Sequence, residues 1–232
     1  MKKIVLFIIF FMTMGMAYSQ QTVFNAPSAD VTPENRYFIQ LEEQFRPYSP
    51  QFGNGTVYNC YGIGRQTELN LTLFNANAPA THNLGLGTGF KSAVLIPKLK
   101  DKYPDRKYKF TVGSMVISPL SNQKSVGNWS YAHLSGRVPK LNTRISAGMS
   151  YGTRQVFGKT KACFVGVVEQ PITPKLTALA EWYSDDEQCL GYLISGFNYK
   201  LPKDQALIVG YQIPNSSQVG LSGFVVQYSK LF

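Results

Sequence analysis

From about residue 36 to the end, apolar and polar side chains alternate with a period of two, the spacing of strands with one apolar and one polar face. The segment 68–74 is the plainest case, with Leu69, Leu71 and Leu73 opposing Glu68, Asn70 and Thr72. Over 36–45, Tyr37, Ile39 and Leu41 oppose Gln40, Glu42 and Gln44. Over 144–152, Ile145, Ala147, Met149 and Tyr151 oppose Arg144, Ser146, Gly148 and Ser150. The pattern predicts strands at 36–45, 56–64, 68–74, 90–97, 107–117, 127–136, 144–152, 161–169, 176–184, 189–199, 206–213 and 220–232. The fourth and sixth alternate poorly, so about ten strands is the alternative to about twelve, and either even number returns the chain to the side it started from.

The connections sharpen this picture. Pro97-Lys98, Pro139-Lys140, Pro174-Lys175 and Pro202-Lys203 each fall after an even-numbered strand, on one side of such a structure. Proline ends a strand because it cannot donate to the ladder, and lysine reaches headgroups from an interface. With a periplasmic N-terminus these are periplasmic turns, and the Gly- and Asn-rich loops at 46–56 and 75–89 lie opposite them.

Upstream, Lys2 and Lys3 precede a run from Ile4 to Met16 that is apolar apart from Thr13 and Gly15, and Ala17-Tyr18-Ser19 follows. This order reads as a secretory signal peptide over 1–19, cut after Ser19 or Gln20. Residues 20–34 contain prolines and no periodicity, which predicts a periplasmic lead-in too short to be a domain or a plug. No later window is long and apolar enough for a membrane helix. Charged residues are 16% of the chain, below the roughly 25% of soluble domains, while Tyr and Phe number 14 and 15. Few charges, many aromatics and period-two alternation together predict an all-β fold over 35–232, a single transmembrane antiparallel up-and-down β-barrel.

Charge and candidate chemistry narrow the function classes. The net charge is +10, of which Lys2 and Lys3 contribute two, leaving +8 after the signal. Basic residues and aromatics form no nucleic-acid pattern, so acidic lipid headgroups, including lipopolysaccharide, and small polar solutes are the expected partners. Cys60, Cys163 and Cys189 are odd in number and lack C-x-x-C spacing, which argues against a zinc or redox motif and leaves one disulfide as a possibility. Asn83-Leu84-Gly85-Leu86-Gly87-Thr88-Gly89 lacks the Lys-Ser/Thr ending of a phosphate loop and reads as a loop. His82 reads as solvated, and His133, near Ser130 and Ser135, is the one place for a rim hydrolase. There is no G-x-S-x-G elbow, so the expectation is no catalytic residue, no metal and no cofactor. The alternation turns Glu42, Glu68, Lys109, Arg144, Glu169 and Glu181 toward the lumen, as structural ion pairs or as the lining of a solute path.

Counting back in twos from Phe232 gives Lys230, Tyr228, Val226 and Phe224, apolar except at Lys230. This resembles the C-terminal signal of outer-membrane β-barrel proteins, which ends in an aromatic residue; Lys230 departs from the pattern. Ala180-Glu181-Trp182-Tyr183 and Gly210-Tyr211-Gln212-Ile213 resemble strands of porin-like or transporter-type small barrels of Gram-negative bacteria. The resemblance implies the outer membrane, recognition by the barrel assembly machinery through Phe224, Val226, Tyr228 and Phe232, and a role as a narrow channel or transporter for small polar solutes. A structural or adhesion barrel with a closed lumen is the alternative, and a lipid hydrolase a weaker one.

Overall fold

The computed structural model describes residues 21–47, 53–76, 84–120, 126–154, 162–185 and 191–232. The proposed signal peptide, His82 and Cys189 lie outside the described residues. The strands are β1 (Tyr37–Phe45), β2 (Gly53–Gly64), β3 (Thr67–Phe74), β4 (Gly85–Leu95), β5 (Lys109–Pro119), β6 (Gly127–Arg137), β7 (Arg144–Gly152), β8 (Ala162–Pro171), β9 (Leu176–Tyr183), β10 (Tyr192–Leu201), β11 (Gln205–Pro214) and β12 (Gly223–Leu231). Each pairs antiparallel with its sequence neighbours, and β1 pairs with β12, so the sheet is a closed up-and-down barrel. Closure leaves no open edge, as a sheet in hydrocarbon requires.

The seam between the first and last strands is fully registered, from Phe38 opposite Leu231 to Phe45 opposite Phe224. Beyond it, Phe232 N donates to Tyr37 O at 2.7 Å, and Arg36 donates through Nε to the Phe232 carbonyl. Connections after even-numbered strands share one rim with the start of β1 and the end of β12; we call it the turn rim, and the opposite one the loop rim. All four Pro-Lys pairs therefore lie at the turn rim. The β4–β5 connection there contains a short helix, α1 (Pro97–Lys102), and a 3-10 turn at Pro104–Arg106.

The alternation sorts side chains as a membrane barrel requires. Leu41, Leu71, Phe90, Phe197 and Val209 are exposed around the middle of the outer wall. Exposed aromatics border that band at both ends: Tyr37, Tyr61, Tyr199, Tyr228 and Phe232 toward the turn rim, and Tyr151, Phe164, Trp182, Tyr211 and Phe224 toward the loop rim. Strands of 8 to 12 residues match the roughly 9–11 that a tilted strand needs to cross a bilayer.

Two expectations are corrected. The glycine-rich stretch at 85–89 is the first half of β4, not a loop. Its inward positions are Gly85, Gly87 and Gly89, so no polar side chains mark the lumen face, and alternation fails as a signal. The larger correction concerns residues 20–34, expected as a lead-in outside the barrel and too short to plug it. Gln21, Thr22, Val23, Phe24, Ala26, Ser28, Ala29 and Thr32 are buried, and residues 21–32 lie inside the lumen. The segment leaves the lumen over the turn rim past Gly62, where the Pro33 carbonyl oxygen would sit 2.0 Å from any added Cβ, so only glycine admits the chain. Asn35 N donates to Gly62 O at 2.9 Å and Gly62 N to Arg36 O at 3.1 Å, fixing that exit.

Candidate functional site: a lumen held by an N-terminal hairpin

Inside the lumen the N-terminal segment folds back on itself. Thr22 bridges Pro27, Val23 N donates to Ala26 O at 2.8 Å, and Ser28 N donates to Gln21 O at 3.1 Å, which makes a tight hairpin with Phe24 and Asn25 at its tip. Tip amides in so tight a turn have no strand partner and need an acceptor. Glu181 of β9 supplies it: its Oε2 accepts from Phe24 N at 2.9 Å and Ala26 N at 2.8 Å, and its Oε1 accepts from Asn25 N at 2.8 Å.

The sides of the hairpin are held by amides. Gln40 Nε2 donates to Thr22 Oγ1 at 2.8 Å, Gln227 Nε2 to Phe24 O at 2.7 Å and Gln44 Nε2 to Asn25 Oδ1 at 3.0 Å. Glu42 stands behind them, accepting from Gln227 Nε2 at 2.6 Å and Gln44 Nε2 at 2.9 Å, so it orients the amides that grip the hairpin. Apolar contact adds to the grip on the β8–β12 side. Val23, Phe24 and Ala26 join one cluster with Val165, Val167, Leu179, Tyr183, Ile194 and Ile208. The Phe24 ring lies over Gly210, where an added Cβ would be 2.4 Å from it.

Nearer the turn rim the returning chain meets two ionic groups. Lys91 Nζ and Glu68 Oε1 are 3.0 Å apart with both side chains buried, and Glu68 Oε2 accepts from Thr32 N at 2.6 Å and Thr32 Oγ1 at 2.8 Å. Lys91 also donates to Gln21 O at 3.2 Å, so this pair bonds both arms of the hairpin. Arg144 binds Glu169 in a two-pronged pair, with Nη2 to Oε1 at 2.6 Å, and its Nη1 reaches Asp30 Oδ1 at 2.8 Å. Lys109 Nζ lies 2.9 Å from Ala29 O and 3.4 Å from Asp30 Oδ1. Burial would raise the Asp30 carboxyl, but the Arg144 guanidinium bonded to it, with Lys109 and Lys91 nearby, holds it well below the usual carboxylate range.

All six charges placed in the lumen from the sequence are thus found there, and they converge on one object. Glu68, Lys109, Arg144 and Glu181 bond residues 24–32 directly; Glu42 and Glu169 orient the groups that do. Sequence reasoning missed Asp30 and Lys91, one in an aperiodic segment and the other set on the lumen face between Gly89 and Ala93. Gln40, Gln44 and Gln227 were legible as inward positions, but nothing in alternation marks an amide as gripping a second segment.

The other candidates resolve as follows. Phe224, Tyr228 and Phe232 face outward and are exposed, with Val226 half-buried on the same face. Lys230, the off-pattern position, lies over the Phe232 ring, its Nζ 4.5 Å from the centroid. His133 faces the lumen beside Tyr131, whereas Ser130 faces outward and shares a hydrogen bond of 2.9 Å with Ser114, so the two sit on opposite faces of β6. Cys60 and Cys163 are both buried, and Cys60 Sγ donates to Gln21 Oε1 at 3.0 Å.

No protein-family model matches this sequence, and no curated protein does. Among solved structures, the chain is similar to an outer-membrane channel from Pseudomonas putida F1, at 8% identity and a TM-score of 0.45, over 88% of this chain and 98% of that one.

Proposed function

We propose that this chain is an outer-membrane barrel that acts as a narrow channel for small polar solutes, with its N-terminal hairpin as the constriction. The termini and the turn rim then face the periplasm. The observation that carries the reading is how the lumen is occupied. A barrel of about eight strands is filled by its own side chains, whereas twelve enclose more room, and here a separate piece of chain takes that room. That piece joins the wall at Gly62 and is held along its length by discrete polar anchors, among them Glu181, Glu68 and Arg144, with apolar contact confined to Val23, Phe24 and Ala26. Polar anchors exchange with water and solute as a packed apolar core does not. The polar side chains of β1 and β3 and the acid–base pairs suit polar cargo.

The test is conductance in planar bilayers, comparing the full chain with a variant lacking Gln21–Thr32. The full chain gives small steps and the deletion larger ones. If the deletion variant folds to a heat-modifiable barrel yet passes no current, the channel reading fails. The closed adhesion barrel would then stand, a reading that the apolar packing of Phe24 favours.

A further inference from the structure

The turn rim carries a ring of cations. Arg65, Lys102, Lys107, Lys140, Lys175 and Lys203 are exposed, and every hairpin connection on this rim contributes at least one. None of the six takes part in an ion pair among the described residues. By sequence the five connections of this rim hold nine Lys and Arg against three carboxylates, Asp101, Asp105 and Asp204, and Asp204 is already paired with Arg36 at 3.6 Å. Adjacent hairpins are two strands, or about 10 Å, apart, so neighbouring charges lie within about one Debye length and their fields add.

A second, independent feature is the backbone under these cations. Arg65, Lys107, Lys140 and Lys203 have φ of 49°, 46°, 67° and 59°, in the left-handed region. Turn positions in this conformation favour Gly and Asn whatever the length of the turn, because a Cβ is crowded there. At four connections the turn thus carries a long cationic side chain where glycine is conformationally easier. Local turn chemistry does not account for that choice. On the β10–β12–β1–β2 side, exposed Tyr37, Tyr61, Tyr199, Tyr228 and Phe232 at the same end of the wall set the level of the bilayer interface beside these cations.

We propose that the turn rim is a docking surface for anionic phospholipid headgroups, its ring of cations gripping the phosphates of the surrounding leaflet. This rests on the membrane-barrel reading, but not on conduction: a barrel with a closed lumen would hold lipid in the same way. The ring fits a lipid surface better than a single compact ligand, because its charges are spread around the whole circumference and point to no common centre.

The test is thermal unfolding of the full barrel in nanodiscs of phosphatidylcholine alone and of phosphatidylcholine mixed with phosphatidylglycerol. At low salt the anionic lipid raises the Tm by roughly 5 °C or more, and 1 M NaCl abolishes the rise. A variant carrying Arg65→Gly, Lys107→Gly, Lys140→Gly and Lys203→Gly is at least as stable as the parent in the neutral discs and loses most of the rise. Should that variant not fold, Lys102→Gln with Lys175→Gln, which leaves those turns untouched, lowers the rise in part. Arg46→Gln with Arg154→Gln at the loop rim leaves it intact. Any one of the following overturns the proposal: equal Tm in the two lipids, a full rise in the four-glycine variant, an equal rise from inorganic phosphate in neutral discs, or a rise with lipid A but none with phosphatidylglycerol. Incorporation into discs as a heat-modifiable species reports on the barrel itself, so failure of that reading is separately visible.

Discussion

A single carboxylate, Glu181, holds three consecutive amides at the hairpin tip, and no neutral side chain reproduces that. Glutamine in its place offers one acceptor oxygen, and its amide group opposes the N–H donors. Bonds to a charged group contribute about 1.5–3 kcal/mol each. Glu181→Gln is therefore expected to shift hairpin release by roughly tenfold or more, seen as larger or more frequent conductance steps with the heat-modifiable barrel retained. Unchanged currents would show that the tip anchor does not gate the lumen. Asp30 makes a contrasting prediction about pH. Its carboxyl is held below the ordinary value, so the stability it adds is fully present above about pH 4, the unfolded carboxylate range, and is lost only as pH falls well below it. Asp30→Asn thus loosens this latch already at neutral pH, where the parent carboxylate is fully charged; single-channel records of parent and variant at about pH 7 check it. Alternation turned Glu181 inward, but the identity of its partner was illegible, because Phe24–Ala26 belong to a segment with no period to read.

At the scale of the element, the hairpin is a short strand pair that could not stand alone in water and gains its structure from the wall. Its one large apolar side chain, Phe24, is fully buried over Gly210 against Ile194 and Ile208. Removing a buried phenyl ring costs about 3–5 kcal/mol, and here the cost falls on docking of the hairpin and not on the ladder of the barrel. Phe24→Ala is therefore expected to expose residues 21–32 to protease added from the turn-rim side while the barrel keeps its unfolding temperature. If the hairpin stays protected, the polar anchors alone hold it. Gly210 carries a reading that alternation hides. It sits in β11 as an inward gap between Ile208 and Gln212, and such a gap is uninformative until the ring that fills it is known. The same holds for β4, whose inward Gly85, Gly87 and Gly89 made a strand look like a loop. The strands with mostly polar inward faces, β3 and β7 above all, are placed by the alternation within a residue of their true ends, because polar side chains such as Glu68, Asn70, Thr72, Arg144, Ser146 and Ser150 mark the lumen face.

For the whole molecule, the sorting of side chains defines two solvents, and the difference between them is measurable. Closure of β1 on β12 forces every strand to present alternate residues outward, so the outer band is apolar whatever fills the lumen. That is why the fold was legible along most of the chain while the contents of the lumen were not. Val209 lies mid-strand on the outer wall and is 43% exposed, whereas Ile172 lies in the β8–β9 turn and is 57% exposed. In a water-soluble barrel, arginine at either site would be solvated and nearly neutral. In a bilayer, an outward arginine at mid-depth costs about 2–4 kcal/mol, falling to about 0–1 near the interface, where the side chain snorkels to water. Val209→Arg is thus expected to lower the free energy of unfolding in phosphatidylcholine vesicles by about 2–4 kcal/mol, with Ile172→Arg within about 1 kcal/mol of the parent. The two variants differ in depth but hardly in exposure, so equal losses would mean that the outer face meets water along its whole height, and the membrane placement would fall with that result.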